Sequence, residues 1–140
     1  MLLLKKYWIQ FKQFIRKHWR KLTKSKPSKR ITFVKAWLDF NNISYIPHYK
    51  VSMPKKIDSN KPYYINFMAT VNKKQYAIVC YDKHHYEFIP FLHKSHLDFE
   101  KQIRRDEYME SWCRNNGIIF MELPYYYTYH ELMNQLEKLI

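Results

Sequence analysis

Two runs dense in tyrosine, isoleucine, valine and phenylalanine, residues 62–71 and 75–82, are separated only by Asn72-Lys73-Lys74. A short polar turn between two such runs is how a β-hairpin is written in sequence, and it constrains the fold more than any other stretch. Downstream come a helical segment over 99–116, Gly117 as its stop, an apolar run over 118–123 and a last helix. Thr128-x-x-Glu131 reads as a capping box opening that helix, with Leu132, Leu136, Leu139 and Ile140 as its core stripe. Upstream, Thr32 is placed to cap a helix running to about Asn42, with Phe33, Val34, Trp37 and Leu38 inward and Lys35 and Asp39 outward. Residues 44–51 read as a strand in which Pro47 favours an edge or a bulge and Tyr45 and Tyr49 share one face. Residues 53–61 read as a loop whose Lys55, Lys56 and Lys61 are surface lysines or phosphate contacts. The expected fold is α+β, ordered helix-strand-strand-strand-helix-strand-helix.

The 140 residues suffice for one domain with its own core, and 46% apolar content with 19% aromatic excludes a disordered chain. A single glycine excludes a Gly-rich phosphate loop and a dinucleotide-binding fingerprint. Eleven of the 25 basic residues fall within residues 1–30, which hold none of the 12 acidic ones. The charge therefore divides the chain into a basic arm, 1–30, and a nearly balanced domain, 31–140. Within the arm, Leu4, Trp8, Phe11, Ile15, Trp19 and Leu22 recur at helical spacing, so it reads as an amphipathic helix followed by a hinge at 25–28 around Pro27. Three readings of that helix stand: an apolar stripe docked on the core, a membrane-surface anchor, or a phosphate-gripping arm. In the last, the candidate contacts are Lys5, Lys12, Arg16, Lys17, Arg20, Lys21, Lys24, Lys29 and Arg30.

The segment Ile78-Val79-Cys80-Tyr81-Asp82-Lys83-His84-His85-Tyr86, with Phe99, Gln102, Arg105-Asp106, Trp112-Cys113, Gly117-Ile118 and Met121-Glu122-Leu123-Pro124-Tyr125, resembles the second half of a restriction-endonuclease-like, PD-(D/E)XK, domain. The likeness is to the small type shared by very-short-patch-repair endonucleases and related phage nucleases, and it covers roughly residues 31–140. It implies a nuclease fold with a divalent metal held by acidic residues on the hairpin strands. At the positions the resemblance assigns to that chemistry, this chain has Asn66 and Val79 for the strand acids, Tyr81 for the next acid and Met109 for the helix lysine. Asp106 survives, and His85 matches the family histidine. The resemblance therefore implies a degenerate form, since an amide, two apolar side chains and a phenol replace neither anionic ligands nor a cation.

Other constellations lead elsewhere. Cys80 and Cys113 make no disulfide framework, which points to a reduced, intracellular setting, and neither a signal-peptide h-region nor a membrane-spanning run is read. His84, His85, His93 and His96 near Cys80 are zinc-capable donors without a zinc-site spacing, and His84 and His85 as neighbours in an extended segment would point to opposite sides. Asp106 beside Arg104 and Arg105 suggests a structural ion pair. Tyr125, Tyr126, Tyr127 and Tyr129 suit either base stacking or a strand-to-helix corner. The leading expectation is a non-catalytic nucleic-acid-binding protein, with DNA as partner, without cofactor or metal, in the cytoplasm or nucleus or associated with a virion. The alternatives are an active metal-dependent DNA endonuclease with ligands relocated to Asp82, Glu87, Asp106 or Glu122, and an assembly protein that sets its first helix on a protein partner or a membrane.

Overall fold

The computed structural model describes the backbone of residues 2–22, 28–58 and 61–140 and the side chains of residues 5–18, 28–57 and 61–140. Its elements are α1 (Leu2–Leu22), α2 (Lys29–Phe40), β1 (Ser44–Val51), the single turn α3 (Lys55–Asp58), β2 (Tyr63–Val71), β3 (Lys74–Tyr81), α4 (His96–Asn115), β4 (Ile119–Pro124) and α5 (Tyr129–Leu136), with 3-10 turns at Lys83–His85 and Glu137–Leu139. They form two compact units, one of residues Met1–Ser44 with Thr128–Ile140 and the other of Tyr45–Tyr127. The expected α+β class holds. A four-stranded mixed sheet runs in the order β1-β2-β3-β4, with β2 and β3 antiparallel and β3 and β4 parallel.

In the Tyr45–Tyr127 unit the hairpin turn is one residue shorter than its polar run suggested. Val71 pairs with Lys74, and Asn72 and Lys73 take φ of 50° and 67°. Two left-handed residues in succession give the turn whose twist matches that of the strands, a conformation glycine adopts at less cost than lysine. Lys73→Gly is expected to raise stability by about 0.5–1 kcal/mol, read as a higher denaturation midpoint at an unchanged slope.

β3 is buried on both sides, with Ala77, Ile78 and Val79 at most 1% exposed. Its run of consecutive apolar residues therefore marks a central strand. The parallel β3–β4 pair requires a crossover, which α4 supplies. Met109 and Cys113 of α4 pack on Ile65, Met68, Ala77 and Val79 to make the core on that face. α4 ends on Gly117 at φ 68°, where Ile118 N–H reaches Cys113 O at 2.8 Å and Gly117 N–H reaches Arg114 O at 3.3 Å. Those paired bonds satisfy carbonyls the helix leaves open, and Ile118 joins Cys113 in the core. β1 takes the sheet edge, as Pro47 suggested, but Tyr45 and Tyr49 do not share a face. Tyr45 meets Phe67 edge-on at 5.3 Å while Tyr49 packs on the α4-side core, because His48 between them, at φ 49°, breaks the alternation.

In the other unit, Ser28 rather than Thr32 caps α2: its Oγ accepts Ile31 N–H at 3.2 Å. Thr32 is fully buried and donates its hydroxyl to Ser28 O at 3.1 Å, so it belongs to the helix interior. Lys35 and Asp39 do lie outward and pair at 3.1 Å. The other hinge positions, Ser25, Lys26 and Pro27, lie outside the described residues. Phe11 of α1 is fully buried, with ring centroids 5.4 Å from Phe33 and 5.5 Å from Phe40. Tyr7 and Phe14 also pack on Phe40, and Phe33 reaches Tyr129 of α5 at 4.9 Å. The stripe α1 buries thus includes Tyr7 and Phe14, which the four-and-three spacing from Leu4 passed over. The capping box opening α5 forms as read from Thr128 and Glu131.

Candidate functional site

On the α4 face of the sheet, four elements converge on one carboxylate. Asp106 of α4 accepts at Oδ1 from the Tyr63 hydroxyl of β2 at 3.1 Å and from Gln102 Nε2, one helical turn earlier, at 3.0 Å. Its Oδ2 lies 2.9 Å from His85 Nδ1, carried by the 3-10 turn after β3. Tyr63 shares a hydrogen bond with Tyr81 of β3. A carboxylate has only acceptors, so Tyr63 donates to Asp106 and Tyr81 donates to Tyr63, and His85 holds its proton on Nδ1. A neutral His85 then presents its Nε2 lone pair. The ring is further fixed by stacking on Tyr81 at 4.1 Å and 11°.

Burial, followed by the charge of Asp106, pushes the Tyr63 phenol above its usual range; burial, the neighbouring Tyr63 and Asp106 do the same for Tyr81. Both phenols therefore stay protonated and serve as donors, not bases. Glu122 of β4, paired in register with Val79, is raised by burial and then by the charges of Asp106 and Glu110. The Tyr86 phenol is raised by burial and then by Glu122. The arrangement can hold an oriented imidazole and move a proton at its Nε2.

Of the positions the resemblance singled out, Tyr81, His85 and Asp106 meet here and Asn66, Val79 and Met109 do not. Val79 and Met109 are in the hydrophobic core at 1% and 0% exposure. Ile65 and Met68 lie in that same core although three residues apart, so the alternation of β2 shifts by one residue between them. Asn66 sits at the shift, and its Oδ1 accepts Cys80 N–H at 2.8 Å, standing in for a strand carbonyl. The partner of Asp106 is His85, not an adjacent arginine. Arg104 approaches Glu100 at 3.8 Å, and Arg105 donates to Lys61 O and Pro62 O. Among the described residues no group of three or more His, Cys, Asp or Glu side chains is placed to hold a metal ion.

The histidine run differs from its extended reading. His85 N–H bonds Asp82 O and Tyr86 N–H bonds Lys83 O, closing a 3-10 turn that brings the His84 and His85 rings to 4.3 Å instead of sending them apart. His93 is buried with Nδ1 accepting from Ile89 N–H at 3.0 Å, and His96 stacks on Phe88 at 4.0 Å. Burial, followed by neighbouring His85, holds the His84 imidazole below its ordinary range. The unfolded chain then binds the proton more readily, so the contribution of neutral His84 is present above the unfolded value of ~6.5 and is lost as pH falls toward the lowered one. The stability of the parent chain is expected to drop more steeply than that of His84→Asn on acidification below ~6.5, in denaturant titrations at matched salt.

The candidate phosphate contacts Lys5, Lys12, Arg16, Lys17 and Lys29 are exposed and Arg30 is half-buried. The side chains of Arg20, Lys21 and Lys24 lie outside the described residues. Sequence reasoning gave no role to Tyr63 or Gln102, although the four-residue offset from Gln102 to Asp106 puts both on one helix face. No helix among the described residues is long and apolar enough to cross a membrane. In comparison with known proteins, no family model, no curated protein and no solved structure matches the chain.

Proposed function

We propose that the chain is a non-catalytic nucleic-acid-binding protein, with DNA as its partner, on a degenerate restriction-endonuclease-like scaffold. One observation carries the reading: α1 keeps Lys5, Lys6, Lys12, Arg16 and Lys17 exposed while Tyr7, Phe11 and Phe14 pack against α2. Cations on a helix that itself carries no acidic residue suit a phosphate backbone. The same packing weighs against membrane attachment, because Tyr7, Phe11 and Phe14, part of the apolar face that would enter a lipid surface, are packed on α2. The sheet order with its α4 crossover, and the meeting of Tyr81, His85 and Asp106 from the positions the resemblance assigns, support the degenerate scaffold. The test is binding of the full chain to duplex and single-stranded oligonucleotides across a salt series. Log affinity is expected to fall against log salt by about 0.9 per duplex phosphate neutralised. An affinity indifferent to salt would reject the reading.

A second reading is a metal-dependent endonuclease with relocated ligands, Asp106 and Glu122 among them; the Glu122 carboxyl is raised by burial and then by the charge of Asp106. It predicts Mg²⁺- or Mn²⁺-dependent cleavage that is lost in Glu122→Gln.

A further inference from the structure

Beside the Asp106 cluster, in the Tyr45–Tyr127 unit, lies an open cavity of about 340 Å³. Its described lining includes Lys61, Lys94, Lys101 and Arg105, with the carboxylate of Asp98 among them. That volume is at the small end of ligand-binding cavities, and the excess of cations over carboxylates among its described lining residues favours a compact, multiply charged anion.

The cavity is also built, not merely lined by mobile lysines. The Arg105 guanidinium is fixed by bonds to Lys61 O at 2.9 Å and Pro62 O at 3.2 Å and lies 5.8 Å from the Tyr63 ring centre. Asp98 is partly committed, since its Oδ2 accepts Lys94 N–H at 3.1 Å. His93, only 5% exposed, lines the same cavity. Because its Nδ1 accepts from Ile89 N–H, the neutral ring carries its proton on Nε2, a buried atom without a hydrogen-bond partner among the described residues.

We propose that this cavity binds a phosphoryl group, with Lys61, Lys94, Lys101 and Arg105 supplying the charge. A phosphoryl group offers three acceptor oxygens and up to two negative charges, which match several cations converging from different directions better than a planar carboxylate does. The group comes either from a nucleic-acid strand or from a free nucleotide or phosphate. The first source rests on the proposed nucleic-acid binding, and the second does not.

The experiment is a backbone-amide NMR titration of the full chain with inorganic phosphate, against chloride at equal ionic strength, repeated with a mononucleotide and with oligonucleotides bearing a 5′-phosphate or a 5′-hydroxyl. Saturable shifts confined to His93 through Arg105 and Lys61 are expected with phosphate and not with chloride. The Lys94→Ala/Lys101→Ala double variant is expected to weaken phosphate binding at least tenfold while keeping the chemical shifts of the β-sheet. Charge reversal on α1 is expected to leave phosphate binding intact, so loss of oligonucleotide binding there and loss of phosphate binding here report on different readings. A preference for the 5′-phosphorylated strand assigns a nucleic-acid source, and equal binding of mononucleotide without that preference assigns a free one. Equal shifts with chloride, or phosphate binding unchanged in the double variant, would overturn the proposal.

Discussion

Asp106→Ala is expected to destabilise the Tyr45–Tyr127 unit by about 3–5 kcal/mol, the range for removing one partner from a buried charge-assisted network. The carboxylate accepts three donors, from Tyr63, Gln102 and His85, and its side chain and that of His85 are each only 15% exposed. Gln102 can turn toward water, but Tyr63 is 5% exposed and loses its acceptor where water cannot replace it. Against a typical total of about 5–15 kcal/mol, such a loss places the variant near its unfolding midpoint at modest denaturant. Asp106→Asn separates shape from charge. The amide oxygen still accepts from Tyr63 and Gln102, while its N–H₂ faces His85 Nδ1 and forces the proton to Nε2. That variant is expected to cost about 1–2 kcal/mol and to exchange the His85 tautomer, visible in the ring nitrogen shifts. Equal, small losses in both variants would mean that the network contributes little to the fold.

Apart from the single turn α3, which lies in the 53–61 segment read as a loop, the order of elements was legible because each carried its own local signal. The hairpin showed in β-branched and aromatic runs, the end of α4 in Gly117, and the start of α5 in Thr128 and Glu131. What the sequence hid was offset within elements. His48 and the Asn66 shift each move one residue against the alternation, which is what separates Tyr45 from Tyr49 and commits Asn66 to Cys80 N–H. The cluster around Asp106 was half legible. Asp106, His85 and Tyr81 were singled out from the resemblance, but Tyr63 lies 43 residues from Asp106 in sequence, and no local pattern announces a contact at that separation. A neighbouring arginine looked the natural partner for Asp106. Arg105 instead turns to the carbonyls before β2, so sequence adjacency was a poor guide on a helix whose successive side chains diverge.

Reversing Lys5, Lys12, Arg16 and Lys17 to glutamate is expected to lower affinity for duplex DNA at low salt by at least about a hundredfold and to flatten the salt slope by about 3–4. Four phosphates neutralised at about 0.9 each set that slope, and the same counterion release makes affinity fall steeply between 50 and 200 mM salt. Charge reversal is a cleaner test than removing residues 1–30. Phe11 is fully buried against Phe33 and Phe40, so deletion would strip α2 of its cover and confound binding with folding. The four cations are exposed, and the ring contact of Lys12, 5.0 Å from Trp8, is worth about 0.5–1 kcal/mol there. An unchanged circular dichroism spectrum and a thermal midpoint within a few degrees of the parent establish that the fold survives. Full affinity retained in the reversed chain would move the binding surface off α1. Binding confined to anionic vesicles, with a blue shift of tryptophan fluorescence, would instead mean that α1 leaves α2 to expose its apolar face, and the phosphates it meets would be those of lipid headgroups.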